Sequence, residues 1–536
     1  MVNKKQPGKE SWAQNQDYSP EELVLARRTL QEIEEGEEVF QAIRKYPLPD
    51  GEGFLSKHAL ITAYRQEVEE GVRPADRQLL AKIRIKPTRT LSGVTTVTVL
   101  TKPYPCPGSC VFCPDHEDMP VSYLPDEPGA MRAHQHEYHP YSQVQARLEA
   151  LYEIGHPTDK VELLILGGSW SAYREDYQEW FLKRCFDALN EEESGTLEEA
   201  QAKNETAQRK NVGLVVETRP DLVDREEMAR LRKLGVTKVQ LGVQSLDDRI
   251  LDLNQRGHGV EESVQAVGLL RAAGFKIVAH WMPNLVGATP DSDRRDFSRL
   301  WSILAPDELK IYPTQLLEDT ELYRIWDQGG FQPYTTEKLM ALIADLKTVI
   351  PPYCRVNRIV RDIPSGNVVE GNKRTSLRQD IQRSMQEKGW VCRCIRCREI
   401  RGQDVRVDEL VLEDYVYDVT GCQEHFLSYL TPGGSLAGFL RLTLPTPQAP
   451  ETGLEDLQGA ALIREVHVYG QSLRVGQEMA GAAQHSGLGT ALLEKAEQIS
   501  GQAGYNTIAV IAAVGTRGYY LDRGYRRGSH YLVKDL

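Results

Sequence analysis

The sequence lacks any uncharged apolar run near the roughly 18 residues that a membrane span needs, and its opening stretch is too polar for a signal peptide. It reads as a chain of the cell interior, expected in the cytoplasm and without a membrane partner. Basic side chains are in deficit: 64 Lys and Arg against 77 Asp and Glu give a net charge of -13. That balance excludes a surface built throughout to grip nucleic acid. A disulfide framework is missing as well. The nine cysteines are odd in number, and six fall in two tight groups, Cys106, Cys110, Cys113 and Cys392, Cys394, Cys397, while Cys185, Cys354 and Cys422 stand alone. Clustering without an export signal points to metal centres.

A chain of 536 residues exceeds one hydrophobic core, so several domains are expected. Residues 1–85 read as polar and helical, with Leu23, Leu30, Ile33 and Phe40 recurring at the spacing of one long amphipathic helix. From Arg73 to Lys102 seven basic residues face a single acid, Asp76. Residues 86–350 alternate β-branched runs (VTTVTVLT, VELLILGG, VGLVVETRP, VTKVQLGVQS, KIVAHWMPNL, ELKIYPTQ) with helical stretches, which predicts parallel strands joined by right-handed crossovers. Active residues of such folds collect at the carboxyl ends of the strands. The polar stretch NEEESGTLEEAQAKNETAQRKN reads as a mobile surface insertion. Residues 351–405 read as a linker with twelve basic against five acidic residues between Arg355 and Arg401. Residues 406–536 read as a separate α+β domain.

Cys106, Cys110 and Cys113 follow the first strand run with three and two residues between them. Three thiolates so spaced can wrap one face of a 4Fe-4S cube and leave its fourth iron open. A zinc site closed by His116, or packing alone, would use the same residues differently. Gly167-Gly168, Glu217, Arg219, Gln240, Gln244 and Lys310 recur at the ends of successive strand runs, as the lining of a pocket would. Cys392, Cys394 and Cys397 suit zinc, with Cys354, Cys422 or His425 as fourth ligand; a second Fe-S cluster and unliganded thiols are the alternatives. His134, His136 and His139 in HQHEYH read as a surface loop rather than a metal site. Near the C-terminus, QHSGLG opens a helix, where glycines let backbone N–H groups approach a pyrophosphate.

The CxxxCxxC loop resembles that of the radical S-adenosylmethionine (SAM) superfamily, and QHSGLG followed by GTRGYY resembles the acetyl-CoA motif of GNAT-type acetyltransferases. With ETRPDLV, VQLGVQS, LKIYPT and CRCIRCREI in order between them, residues 80–536 resemble the catalytic-subunit family of Elongator. The resemblance implies an α/β fold: a partial TIM-type radical SAM barrel with a C-terminal α+β GNAT domain. It implies an enzyme that converts the acetyl group of acetyl-CoA to a carbon radical and adds it to C5 of the tRNA wobble uridine, with lysine acetylation as the alternative. By that resemblance Cys106, Cys110 and Cys113 hold the 4Fe-4S cluster, and Gly167, Gly168, Glu217 and Gln240 line the S-adenosylmethionine pocket. Lys310 and Tyr312 lie at the base or thioester, and Gln484, Gly487, Gly489, Tyr519 and Tyr520 hold acetyl-CoA. The cysteines at 392, 394 and 397 hold a structural zinc. Partners expected are tRNA, acetyl-CoA, S-adenosylmethionine and an electron donor. Lys86, Arg89, Arg355, Arg358, Arg361, Lys373, Arg374 and Arg378 are the candidates for tRNA phosphates, and residues 1–85 are a possible further tRNA contact.

Overall fold

The structure, a computed structural model, describes residues 18–49, 51–90, 93–401, 405–469 and 487–536. It divides into two compact units, Met1–Leu91 with Ala146–Thr158, and Ser92–Gln145 with Asp159–Leu536. No helix among the described residues is long and apolar enough to cross a membrane.

The first unit is helical, with Leu30, Ile33, Leu60 and Ile61 in its core. The single long helix expected there is two helices, Pro20–Glu34 and Val39–Lys45, broken at Gly36, whose φ of +108° no helix tolerates. Glu38 restarts the chain by accepting from the N–H groups of Phe40 and Gln41. The restart turns Phe40 outward, 57% exposed, so its helical spacing with Ile33 carries no packing.

The second unit holds two seven-stranded sheets. The first is wholly parallel and keeps sequence order: β1 (Thr95–Leu100), β2 (Lys160–Leu166), β3 (Lys210–Thr218), β4 (Lys238–Gln244), β5 (Lys276–Trp281), β6 (Glu308–Ile311) and β7 (Arg355–Ile359). Sequential parallel pairing with crossover helices curls this sheet into a half-barrel. Its last strand comes from the segment that the sequence pattern presents as a linker. Charge hid it: Arg355 and Arg358 interrupt the apolar run, yet the strand pairs with β6 through Lys310↔Arg358 and Ile311↔Ile359.

The polar stretch after β2 is also not a loose insertion. It contains the helix Leu197–Asn204, and its polar groups bond to one another. Asn204 donates to Asn190 Oδ1 and accepts from the Asn211 N–H, while Asp187 accepts from the Ser194 N–H. Polarity here is internal satisfaction rather than hydration.

The second sheet runs β13-β14-β12-β11-β10-β9-β8, with β8 Val411–Val419, β9 Cys422–Leu430, β10 Leu436–Pro445, β11 Ala460–Val468, β12 Thr507–Val510, β13 Arg526–Arg527 and β14 Leu532–Asp535. The helix Leu488–Gln502 covers it through Leu492, Leu493 and Ala496. This sheet closes the amino end of the half-barrel with buried ion pairs. Arg464 bonds Asp307 at 2.6 and 2.8 Å and Glu424 at 2.5 Å, Arg441 bonds Glu465 at 2.9 Å, and Lys276 bonds Glu465 at 2.6 Å. Gly515 sits so close to Asn211 that a Cβ would lie 2.7 Å from its carbonyl oxygen.

Candidate active site

The loop after β1 carries the first cysteine group at the carboxyl end of the half-barrel. It is anchored by apolar burial of Val111 and Phe112 beside Leu285 and Leu316. Backbone bonds from Val111 N–H to Asn254 O and from Leu322 N–H to Val111 O add to this. Cys106 Sγ lies 3.8 Å from Ser169 Oγ, just past the end of β2, and Arg256 Nη1 lies 3.3 Å from Cys110 Sγ. A hydrogen bond from Cys113, with Arg256 and Arg219 nearby, outweighs burial and holds the Cys110 thiol at about 5. Cys113, the donor in that bond, is pushed well up by it and by burial, so the two thiols share a proton that metal binding would have to displace.

Gly167 and Gly168 end β2 with φ of +127° and +102°. A Cβ on Gly167 would fall 2.1 Å from Thr101 Oγ1, so only glycine lets this strand end lie against β1. Tyr173 OH ties the two ends together, donating to Lys102 O and Gly167 O at 2.7 and 2.9 Å.

The inner face behind these loops is polar. Parallel register sets Glu217 beside Gln240 and His280 beside Lys310. Lys310 Nζ and His280 Nε2 both bond Gln240 Oε1, the latter at 3.0 Å. The Tyr312 ring stands edge-on to His280 at 5.4 Å, with Lys310 Nζ 5.7 Å from its centroid. Burial raises the Glu217 carboxyl, opposed by Lys310 and Arg361. Arg219 is paired with Asp221 and donates to Arg256 O at 2.9 Å. His280 and Arg256 escaped the sequence reading. A polar residue inside the buried run KIVAHW was a readable signal for His280, whereas Arg256 in NQRGHG belongs to no pattern.

The basic candidates divide. Arg361 bonds Ser122 Oγ at 2.8 Å and Glu127 at 3.1 Å inside the fold, Arg355 is held by Glu399 and by Tyr469 OH, and Arg378 donates to Val356 O. Lys86, Lys373 and Arg374 are exposed, and Arg358 is partly so beside Asp362. The side chain of Arg89 lies outside the described residues.

Among the described residues, the cluster of three metal-ligating side chains whose donor atoms all lie within 4.8 Å of one another is Cys392, Cys394 and Cys397. A tetrahedral ion with Zn–S bonds near 2.3 Å sets its sulfurs about 3.8 Å apart, so this tight trio suits one ion better than a cube. Lys347 Nζ lies 3.8 Å from Cys397 Sγ. None of the proposed fourth ligands joins the group. His425 is bonded to Asp414 at 2.8 Å, and Cys422 opens β9. Cys354 is buried nearby, its carbonyl accepting from Ile395 N–H. In HQHEYH, His134 and His139 make edge contacts with Tyr138 and Trp180.

In the second sheet, pairing of β11 with β12 stops at Ile463↔Val510 while β11 continues to Val468. Beside this opening Gly487, with φ +75°, starts the helix Leu488–Gln502. A Cβ on Gly489 would lie 2.6 Å from Tyr519 OH, and Arg523 stacks 3.7 Å from the Tyr519 ring. Tyr520 points the other way, into the core with Tyr525 and Leu492. Gln484 lies outside the described residues.

The profile of the Radical SAM superfamily matches residues 104–297, and that of the Radical_SAM C-terminal domain matches residues 306–387. A protein of Dehalococcoides mccartyi named tRNA uridine(34) acetyltransferase is 42% identical over 84% of this chain and 99% of its own length. Human Elongator complex protein 3 is 34% identical over 97% of this chain and 98% of its own. The chain belongs to this family. The solved structure of the archaeal Methanocaldococcus infernus Elp3 with an N-terminal deletion is 36% identical, covers 83% of this chain and 99% of that one, and superposes with a TM-score of 0.71. Membership of the radical SAM superfamily implies a 4Fe-4S cluster and S-adenosylmethionine, and three cysteines on one loop with the Arg256 guanidinium 3.3 Å from Cys110 Sγ supply the donor set and the positive charge that the first of these needs.

Proposed function

We propose that this protein modifies C5 of uridine 34 in tRNA, with acetyl-CoA as donor of the two-carbon group. The observation that carries the reading is the Cys106, Cys110, Cys113 loop at the open end of the half-barrel, in a chain whose full-length relatives are named tRNA uridine(34) acetyltransferase. These three cysteines would hold a 4Fe-4S cluster that, with S-adenosylmethionine, supplies one-electron chemistry able to make a carbon radical of the acetyl methyl. Gly167 and Gly168 bring backbone groups within reach of the methionine end, and Glu217 and Gln240 line the same chamber. Lys310 holds an ammonium beside the Tyr312 phenol, a cation and a donor for a thioester or uracil carbonyl.

At the second sheet, Gly487 and Gly489 free the helix N-terminus for a pyrophosphate, with Gln484 as a further contact. Tyr519 is the phenol placed to orient the thioester; Tyr520 supports it from the core. Lys86, Arg358, Lys373 and Arg374 are the phosphate contacts we favour, and Cys392, Cys394 and Cys397 hold a structural zinc. The protein works in the cytoplasm, fed by a low-potential electron donor.

The test is incubation of reconstituted protein with S-adenosylmethionine, reductant, methyl-labelled acetyl-CoA and tRNA. Label on uridine C5, lost in Cys110→Ala, is the expected result. Label found only on lysine, and unchanged in that variant, overturns the reading. For the second metal, Cys394→Ala is expected to release zinc while iron stays bound, measured by elemental analysis; loss of iron instead would invert the two assignments.

A further inference from the structure

The side chains on the inner face of the half-barrel fix one another's hydrogen-bonding roles by elimination. An ammonium only donates, so the Gln240 atom that meets Lys310 Nζ is the carbonyl oxygen Oε1. His280 Nε2 lies 3.0 Å from that same oxygen, so this ring nitrogen carries a hydrogen and donates it. Burial, then Lys310, Arg361 and Arg256, keep the ring neutral. A neutral imidazole protonated at Nε2 has a bare lone pair at Nδ1, and Nδ1 faces Glu217 Oε1 at 3.6 Å.

Two consequences follow for what these groups offer a ligand. Gln240 has its oxygen engaged twice, so its amide hydrogens, which bond none of the described residues, are what remains to be donated. Glu217 lies 3.6 Å from that lone pair, too far for a short bond, so its carboxyl oxygens remain as acceptors on the inner face. The two residues are register partners across β3 and β4, so one donor and one acceptor stand side by side on the inner face.

The geometry points to Glu217 and Gln240, set by His280 and Lys310, as the pair that reads the target base as uracil. Gln240 donates to O4 and Glu217 accepts from N3–H. Cytosine presents an amino group and a bare nitrogen at those two positions, so both contacts fail at once. Unpaired bases splayed from an RNA loop are read along this edge. The inference rests on the proposed entry of a tRNA uridine into the half-barrel, and gives that entry its base selectivity.

The full-length protein is titrated, by fluorescence anisotropy, with anticodon stem-loop RNAs carrying uridine, cytidine or 3-methyluridine at position 34. Wild type is expected to bind the uridine loop at least about tenfold more tightly than either other loop, the size of one or two lost hydrogen bonds to a buried site. Glu217→Ala should bind the uridine and 3-methyluridine loops alike. Glu217→Gln, which keeps an acceptor oxygen, should retain the preference and so separates recognition from misfolding. His280→Phe removes one of the two bonds that orient the Gln240 amide and should narrow the gap between uridine and cytidine. A wild-type protein that binds all three loops equally, or Glu217→Ala that keeps the full wild-type preference, overturns the inference alone. Failure to bind any loop overturns the proposed function with it.

Discussion

At the amino end of the half-barrel, charges meet charges. Asp307 lies between Arg464 and Arg441, Glu465 between Arg441 and Lys276, and Lys238 between Glu162 and Glu308, most of them buried. At the carboxyl end the polar groups are held but left with capacity to spare. Glu217 touches His280 without a short bond, Gln240 keeps its amide hydrogens, and Cys110 faces the Arg256 guanidinium at 3.3 Å. One sheet therefore has a closed end that fastens a second domain and an open end that awaits ligands. Polar residues inside a parallel barrel carry either meaning, and only the completeness of their pairing tells which.

The sharpest way to break this comparison is to disturb one end and look for effects at the other. Cys110→Ala should abolish transfer to uridine, a loss of at least about a hundredfold given that the chemistry needs the metal, while the urea midpoint stays within experimental error. A large fall in stability would mean that the open end is structural too. Arg464→Met should do the reverse, costing about 1–3 kcal/mol because Asp307 keeps only Arg441 and Glu424 loses its closest cation, with iron content unchanged in what remains folded. Denaturant titration and iron analysis read both.

Acid sharpens the same contrast. Burial opposes ionisation of Asp307, but Arg464 and Arg441 outweigh it and hold the carboxyl well below the usual range. The stabilisation from this group is therefore present above the unfolded value of about 3.9, and it is lost only as pH falls through the lower folded value. At pH 3.5, where an unfolded aspartate is mostly protonated, Asp307 of the wild type should still be ionised, read from its carboxylate infrared band; a protonated Asp307 there would show that the pair titrates like surface carboxylates. The smallest expected effect is that of Glu205→Ala. This residue joins the segment after β2 to Arg517 at 3.0 Å and to Arg527 at 2.5 Å on the second sheet. Because Arg527 is half-exposed, the loss should be about 1 kcal/mol or less, read as a small drop in melting temperature.

Much of the fold was legible because its signals are local. Six of the seven half-barrel strands are short β-branched runs. The seventh strand was not legible, since Arg355 and Arg358 break its apolar pattern and its place is fixed by pairing with β6. The segment after β2 misled for the opposite reason. Its polarity looks like hydration until Asn190, Asn204 and Asn211 are seen to bond one another. In the candidate site, the cysteines and glycines were found by spacing, but His280 and Arg256 act through partners far along the chain, 40 residues away for Gln240 and 146 for Cys110.

The sequence alone placed the groups that this protein carries: two trios of cysteines, a glycine pair ending a strand, and a glycine-opened helix. Each is encoded within a few residues, where backbone geometry fixes how far side chains reach. The tertiary structure decided how those groups are used. It turned Arg361 inward and left Lys373 at the surface, sent Tyr520 to the core and Tyr519 to the opening, and drew one cysteine trio together within 4.8 Å. It also decided which way the Gln240 amide faces, because that depends on a lysine and a histidine contributed by two other strands. Hydrogen-bond roles are settled by partners across strands, and no spacing along the chain records them.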